Sequence, residues 1–83
     1  MEITLLQGDI IRFKHAVALI GMDEGEYYRV EYTKKHFNEE RCFLSKCDEN
    51  GVIKEGDLID IAARELDFWV GEDSIEMIST QTR

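Results

Sequence analysis

The sequence contains no proline and no long apolar run, and it has two cysteines among its 83 residues. Without proline, strand edges must be protected from pairing with neighbouring molecules by charged side chains. The longest apolar run, Ala16–Met22, is far shorter than the roughly 20 residues of a membrane-spanning helix. Met1 is followed at once by Glu2, which is not typical of a secretory signal. We therefore expect a cytoplasmic protein that contacts no membrane.

The cysteines and histidines are too scattered to indicate a metal site. Structural zinc sites need two closely spaced pairs of ligands, whereas Cys42 and Cys47 accompany two distant histidines, His15 and His36. A calcium loop is also not expected, because Lys46 occupies the position of its first carboxylate ligand. Without a secretory signal, both thiols are expected to be reduced. We expect no metal and no cofactor.

Motifs of nucleophilic and phosphate chemistry are absent as well. Neither G-x-S-x-G nor G-x-x-x-x-G-K-[ST] occurs in the chain. Catalysis by paired carboxylates requires a cleft that holds two acids in different environments, and a domain of 83 residues rarely has room for one. We therefore expect a single domain without enzymatic activity. A domain this small buries only about 60–65% of its unfolded surface, so a homodimer is a reasonable expectation.

What the sequence does contain is a series of short apolar segments separated by turn residues. Alternating or clustered apolar residues predict strands at Met1–Leu6, Ile10–Phe13, His15–Gly21, Glu26–Thr33 and Arg41–Ser45.

Two loops and one alternation pattern complete this assignment. In the predicted strand Glu26–Thr33, alternation places Tyr28, Val30 and Tyr32 on one face. Lys34–Glu40 is polar apart from one phenylalanine and is predicted to be a surface loop. Asn50-Gly51 predicts a hairpin turn, because both residues tolerate positive φ.

The segment Glu55–Gly71 holds the only tryptophan and the densest apolar cluster. As a helix, it would begin near Asp57 and extend over residues 57–67, with apolar side chains at helical spacing. As strands, Gly56–Ile61 repeats the pattern of Gly8–Phe13. This repeat and the β-rich surroundings favour strands at both ends of the segment, with a helical turn between them. If the segment buries its large apolar residues, Leu58, Ile61, Leu66, Phe68 and Trp69, its five acids face water together. The prediction is a mainly β fold, a small bent antiparallel sheet or barrel, with room for this short helix.

The runs Glu55–Ile61, Asp67–Gly71 and Ser74–Ile78 together resemble the middle of an SH3-type barrel. In that family a Gly-Asp turn opens a strand and a tryptophan begins a later one. The tandem tryptophan of the family is Phe68-Trp69 here, and neither the Pro-x-x-Tyr element nor an ALYDY-like segment is present. The resemblance implies a small, strongly bent β-barrel and does not imply a peptide groove.

The formal net charge is −8, and most of it lies in the second half of the chain. Residues 48–83 contain ten acids and three bases, whereas residues 1–47 contain eight acids and seven bases. A surface of one sign attracts partners of the opposite sign and repels nucleic acid. The same charge is also consistent with a role in solubility alone.

The acidic half suggests a binding surface for a basic protein. Carboxylates on a rigid fold can replace DNA phosphates, which lie about 1.7 Å apart along the duplex axis. The chain is therefore predicted to be a non-catalytic acidic binding module, a DNA mimic that occupies the DNA-binding site of a basic host protein, as phage-type inhibitors do. The predicted partner-binding residues are Glu55, Asp57, Asp60, Glu65, Asp67, Glu72, Asp73 and Glu76.

The first half of the chain holds a second group of candidate binding residues, three aromatics with basic residues near them. In the alternative interpretation, an SH3-like adaptor domain binds a protein partner through three exposed aromatic residues, Tyr27, Tyr32 and Phe37. These aromatics also lie near basic residues that would contact nucleic acid, namely Arg29, Lys34, Lys35, Arg41 and Lys46. The net charge of −8 opposes approach to phosphate, so no direct nucleic-acid binding is expected.

Overall fold

The computed structural model describes residues 5–54 and 56–80, which form one antiparallel five-stranded sheet and one short α-helix. The sheet is open, and its strand order is β4-β3-β2-β1-β5. The predicted mainly β fold is confirmed. The elements are β1 (Ile10–Phe13), β2 (Tyr27–His36), β3 (Glu39–Cys47), β4 (Ile59–Ala62), α1 (Ala63–Gly71) and β5 (Ile75–Ser79).

The core lies on the inner face of this sheet, between the strands and α1. Ile11, Phe13, Tyr28 and Leu44 have no exposed surface, and Leu66 of α1 packs against the same cluster. The rings of Phe13 and Tyr28 meet edge to face with centroids 5.7 Å apart. Burial of these side chains is the main source of stability.

The β2–β3 hairpin is longer than predicted, because the expected surface loop at Lys34–Glu40 is mostly strand. His36 pairs with Glu39 across the hairpin, so the connection contains only Phe37 and Asn38. The oppositely charged pair Lys35 and Glu40 stands in register within this extension, which favours pairing.

A β-bulge at Glu31 divides β2 into two parts. Val30 pairs with Leu44, and Tyr32 pairs with the next residue of β3, Phe43, so Glu31 is the additional residue. The prediction that Tyr32 shares a face with Tyr28 and Val30 is therefore wrong. Tyr32 lies on the outer face and is 40% exposed.

One of the predicted strands is not seen in the described residues. The segment His15–Gly21 is a loop that contains the short 3-10 helix Ala18–Ile20. Val17 and Met22 bond to each other through their backbones, which closes the loop, and Leu19 is 94% exposed. The strand predicted at Met1–Leu6 lies mostly outside the described residues, and Leu5 and Leu6 belong to no strand.

The segment after Gly56 combines both interpretations of the sequence. It forms β4 first, and α1 then begins directly at Ala63, six residues after the predicted helix start at Asp57. The helix continues to Gly71, so the end of the segment forms no strand. Pairing of Ile61 with Cys42 outweighs the local helix preference, as tertiary packing often does.

The predicted turn at Asn50-Gly51 is confirmed. The carboxylate of Asp48 accepts hydrogen bonds from the backbone N–H groups of Asn50 and Val52, and Gly51 has a φ of 84°. The turn folds over the outer face of the sheet, where the Arg29 guanidinium donates a 2.8 Å hydrogen bond to the Gly51 carbonyl.

Candidate functional site

The outward side of α1 carries an aromatic ring between carboxylates. Ala63, Leu66 and Trp69 pack against the core, so the positions on the opposite side of the helix face solvent. Glu65, Phe68 and Glu72 are all exposed and lie three and four positions apart, which places them on one side of the helix. We call this surface, together with Asp73 in the following turn, the acidic helix face.

Phe68 was expected to be buried, and the structure leaves 54% of it exposed. Leu58 is also largely exposed, whereas Ile61 and Leu66 are buried as predicted. The ring of Phe68 meets Trp69 edge to face at 5.0 Å, and Trp69 packs against the core. The helical spacing of Phe68 with Glu65 and Glu72 was the signal in the sequence that could have identified it.

Two members of the acidic helix face, Glu72 and Asp73, lie at the negative end of the helix, whereas Glu65 lies in its first turn. Glu72 caps the C-terminus, and the last turn contains no basic residue. Carboxylates at a helix C-terminus add to the partial negative charge of the backbone dipoles there. Glu72 and Asp73 therefore concentrate negative potential at this point of the surface.

Three of the predicted carboxylates are engaged in ion pairs. Asp60 lies 2.7 Å from Arg41, Asp73 lies 2.7 Å from Lys14, and Glu76 lies 3.5 Å from Arg12. The hydrogen bond and the charge of Lys14 lower the pKa of Asp73. These pairs reduce the negative charge that a partner would meet.

The remaining predicted acids fall into three groups. Asp57, Glu65 and Glu72 are exposed and have no ion-pair partner within residues 5–54 and 56–80. Asp67 is half-buried on α1. Glu55 lies outside the described residues.

The structure therefore divides the predicted acidic set. Glu65 lies in the first turn of α1, and Glu72 and Asp73 directly follow its last residue. Asp60 and Glu76 lie on β4 and β5, the two outermost strands of the sheet order.

The outer face of the β2–β3 hairpin forms a second surface. Tyr32 stacks on Phe43, with ring centroids 4.5 Å apart and an angle of 16° between the planes. Lys34 stands opposite Arg41 in the next pair along the same face. At the tip, Phe37 is 88% exposed. We call the surface formed by Tyr32, Lys34, His36, Phe37, Arg41 and Phe43 the hairpin face.

The third predicted aromatic residue does not belong to this surface. Tyr27 is half-buried at the opposite end of β2, where it pairs with Arg12 and Cys47. The structure thus brings Tyr32 and Phe37 onto one hairpin and separates Tyr27 from them. Phe43 takes part in the hairpin face although the sequence interpretation did not include it.

A pocket of about 220 Å³ opens on the hairpin face, lined by Lys34, His36, Arg41, Phe43 and Asp60. The Nε of Arg41 donates a 2.7 Å bond to Asp60, and its Nη1 donates a 2.9 Å bond to Glu39. These two bonds raise the pKa of Arg41 and fix the direction of its guanidinium. Glu39 also forms an ion pair with Arg64 of α1.

The two cysteines are buried thiols on β3. Burial raises the pKa of Cys42 to about 11 and also raises that of Cys47. A thiol with such a raised pKa carries little thiolate at neutral pH and is a weak nucleophile. Within the described part of the chain, no three His, Cys, Asp or Glu residues lie close enough to hold a metal ion.

The described chain contains no helix that is long and apolar enough to cross a membrane. Comparison of the sequence and the fold with protein-family models, curated proteins and solved structures gives no match.

Proposed function

We propose that this chain is a non-catalytic protein-binding module that binds a basic protein through its acidic helix face. The observation that carries the proposal is the position of Phe68, which is 54% exposed between Glu65 and Glu72. Exposed aromatic residues are frequent anchors of protein interfaces, and surrounding charges select the partner and speed its approach. A partner with an apolar pocket surrounded by lysine or arginine fits this surface.

The attachment of α1 to the core supports the same proposal. Leu66 is fully buried, and α1 begins directly after β4 and ends three residues before β5. The carboxylates of the acidic helix face therefore project from a fixed backbone, which reduces the entropy lost on binding.

The finer form of the proposal is DNA mimicry, in which the basic partner uses its DNA-binding site. Its support is the net charge of −8 and the negative end of α1. Because Asp60, Asp73 and Glu76 are ion-paired, the mimicry depends on Asp57, Glu65 and Glu72, a smaller set than the sequence suggested. An inhibitor of a nucleoid, restriction or transcription protein would act in this way.

Charge reversal at the acidic helix face tests the proposal. The double variant Glu65→Lys/Glu72→Lys is compared with Glu24→Lys/Glu49→Lys, which changes two exposed turn residues and the net charge by the same amount. Basic proteins captured from a lysate by the immobilised chain should be lost with the first variant and kept with the second. Equal capture by both variants would overturn the proposal.

Two further measurements separate the general form from the DNA-mimic form. Capture should weaken steeply when ionic strength rises from about 0.05 to about 0.3 M, because exposed charges are screened. Excess duplex DNA should release the captured protein if its DNA-binding site is occupied. If DNA releases nothing, the mimicry is wrong while binding to a basic protein stands.

A second candidate function is an adaptor domain that binds a protein through the hairpin face. The observation in its favour is Phe37, which is 88% exposed and has a φ of 56°. Two-residue hairpin turns normally place Gly, Asn or Asp at such positions, and unfavourable backbone conformations occur often at functional sites. Here Tyr32→Ala and Phe37→Ala should reduce capture, and Phe68→Ala should not.

The SH3-like relationship belongs to this second candidate. The antiparallel strand order β4-β3-β2-β1-β5 is compatible with a small bent β fold of that kind. We propose the relationship at the level of the fold alone, because the sequence lacks the family's peptide-groove elements.

A further inference from the structure

The pocket on the hairpin face combines cationic groups with an apolar wall. Lys34 and Arg41 stand opposite each other on β2 and β3, and Phe43 lies beside them in the pocket lining. His36 completes the side nearest the hairpin tip. Phe43 is held in place by its stack on Tyr32, so the apolar wall has a defined position.

Charges near the pocket leave an excess of positive charge. Asp60 is bound to Arg41, and Glu39 is bound to both Arg41 and Arg64. Lys34 is exposed and has no ion-pair partner among the residues that the structure describes. Its ammonium group is therefore available to an anion that enters the pocket.

Arg41 is oriented for the same task. Its bonds to Asp60 and Glu39 use two of its N–H groups, and a guanidinium has further donors beyond these. Because both bonds already hold the side chain, an incoming anion would not have to order it. Arginine placed in this way binds planar carboxylates well.

We propose that this pocket binds a single carboxylate that is attached to an apolar or aromatic group, as on a peptide. Lys34 and Arg41 donate to the carboxylate, and the apolar group packs against Phe43. A peptide supplies such a ligand either as its C-terminal residue or as an acidic side chain beside an apolar one. Nucleic acid is a poorer match, because Glu39, Asp60 and the net charge of −8 repel an extended polyanion.

The site is independent of the acidic helix face, so its failure would leave that proposal intact. The proposed site gives the hairpin face a class of ligand, and this part of the inference rests on the proposal that the chain is an adaptor domain. Small probes test the pocket without a partner protein, whereas protein capture by Tyr32 and Phe37 variants tests the adaptor role. The two failures are therefore distinguishable.

The experiment is a ¹H–¹⁵N NMR titration of the full chain with N-acetylphenylalanine. We expect amide shifts that saturate and that centre on β2 and β3 around Lys34, Arg41 and Phe43. N-acetylphenylalanine amide, which lacks the carboxylate, should bind at least about 3-fold more weakly, the range of one exposed ion pair. A comparison with N-acetyl-Asp-Phe amide distinguishes a chain terminus from an acidic side chain as the source of the carboxylate.

Lys34→Gln and Lys35→Gln form a matched pair of variants. Both lysines are exposed and neighbouring in sequence, but Lys35 pairs with Glu40 on the opposite face. Lys34→Gln should weaken N-acetylphenylalanine about 3-fold, and Lys35→Gln should leave the affinity unchanged. Unchanged ¹⁵N spectra outside the hairpin confirm that each variant is folded.

Three results would overturn the inference. The first is equal affinity for the acid and the amide, and the second is an equal loss from both lysine variants. The third is tighter binding of a single-stranded oligothymidine at the same residues, which would assign the hairpin face to nucleic acid.

Discussion

Tyr32 and Phe43 stack across β2 and β3 with their ring planes inclined by 16°, on the face of the sheet that points away from the core. Such a pair contributes about 0.5–1 kcal/mol beyond the burial of its surface. We expect a double-mutant cycle of Tyr32→Ala and Phe43→Ala to give a coupling energy of this size in urea denaturation. Additive effects of the two substitutions would mean that the rings do not stabilise each other.

Phe37 at the hairpin tip should be unfavourable for folding, because its φ of 56° lies in the left-handed region. Such a conformation costs a non-glycine residue about 1–2 kcal/mol, part of which the flexibility of glycine offsets. We expect Phe37→Gly to stabilise the chain by up to about 1 kcal/mol. A gain of about 1 kcal/mol would raise Tm by about 4–8 °C in thermal unfolding, and a fall in Tm would contradict the prediction.

Gly51 should not tolerate a side chain. A Cβ there would lie 2.9 Å from the Cδ1 of Ile10, and φ is 84°. Gly51→Ala should therefore destabilise the fold by about 1–3 kcal/mol in urea denaturation. Gly56→Ala is the control, because no atom lies within 4 Å of the corresponding Cβ; similar losses for both variants would refute the steric explanation.

Cys42 should resist alkylation in the folded state, because its pKa is about 11. At pH 8 we expect iodoacetamide to modify it only after unfolding, as read by peptide mass spectrometry. The pKa of Cys42 is about 9 in the unfolded chain and about 11 in the folded chain. The free energy of unfolding therefore has its full value below pH 9 and falls as the pH rises towards 11. In urea denaturation, Cys42→Ala should reduce the fall of the unfolding midpoint between pH 9 and pH 11. An equal fall in the variant would show that ionisation of Cys42 does not cause it.

Glu72 should destabilise α1, because its carboxylate is repelled by the partial negative charge at the helix C-terminus. Glu72→Lys is expected to raise the free energy of unfolding by about 0.3–1 kcal/mol at low salt. The exposed turn residue Glu49 provides the control, since Glu49→Lys changes the net charge equally away from α1. If both raise stability alike, the gain comes from the reduced net charge and not from the helix end.

The sequence identified the elements whose signals are local. β1 has the predicted bounds, and the turn at Gly51 follows from residues that accept positive φ. The segment that becomes β4 and α1 was ambiguous, because its apolar residues satisfy both the strand and the helix period. Its division at Ala63 depends on pairing between Ile61 and Cys42, a contact that local patterns do not contain.

The candidate sites depended still more on distant contacts. Asp60 and Asp73 each meet a cation far away in the chain, Arg41 at a separation of 19 residues and Lys14 at 59. No spacing rule predicts such pairs, so the charge that remains available on the surface could not be counted from the sequence. Phe68 was assigned to the core for a related reason, since its orientation depends on which side of α1 packs against the sheet.

The bulge at Glu31 changes the phase of β2. With strict alternation from Tyr28 and Val30, the side chains of Tyr32, Lys34 and His36 would point towards the core. Burial of the lysine and the histidine there would cost free energy unless each found a polar partner. One additional residue turns the second half of the strand over, so these side chains reach solvent as one aromatic and cationic surface. Deletion of Glu31 would place Tyr32 directly after the inward-facing Val30. The strand would then alternate without a bulge, and Tyr32 would still lie on the outer face. The surface chemistry of the hairpin is thus determined by the parity of a residue count as much as by the residues themselves.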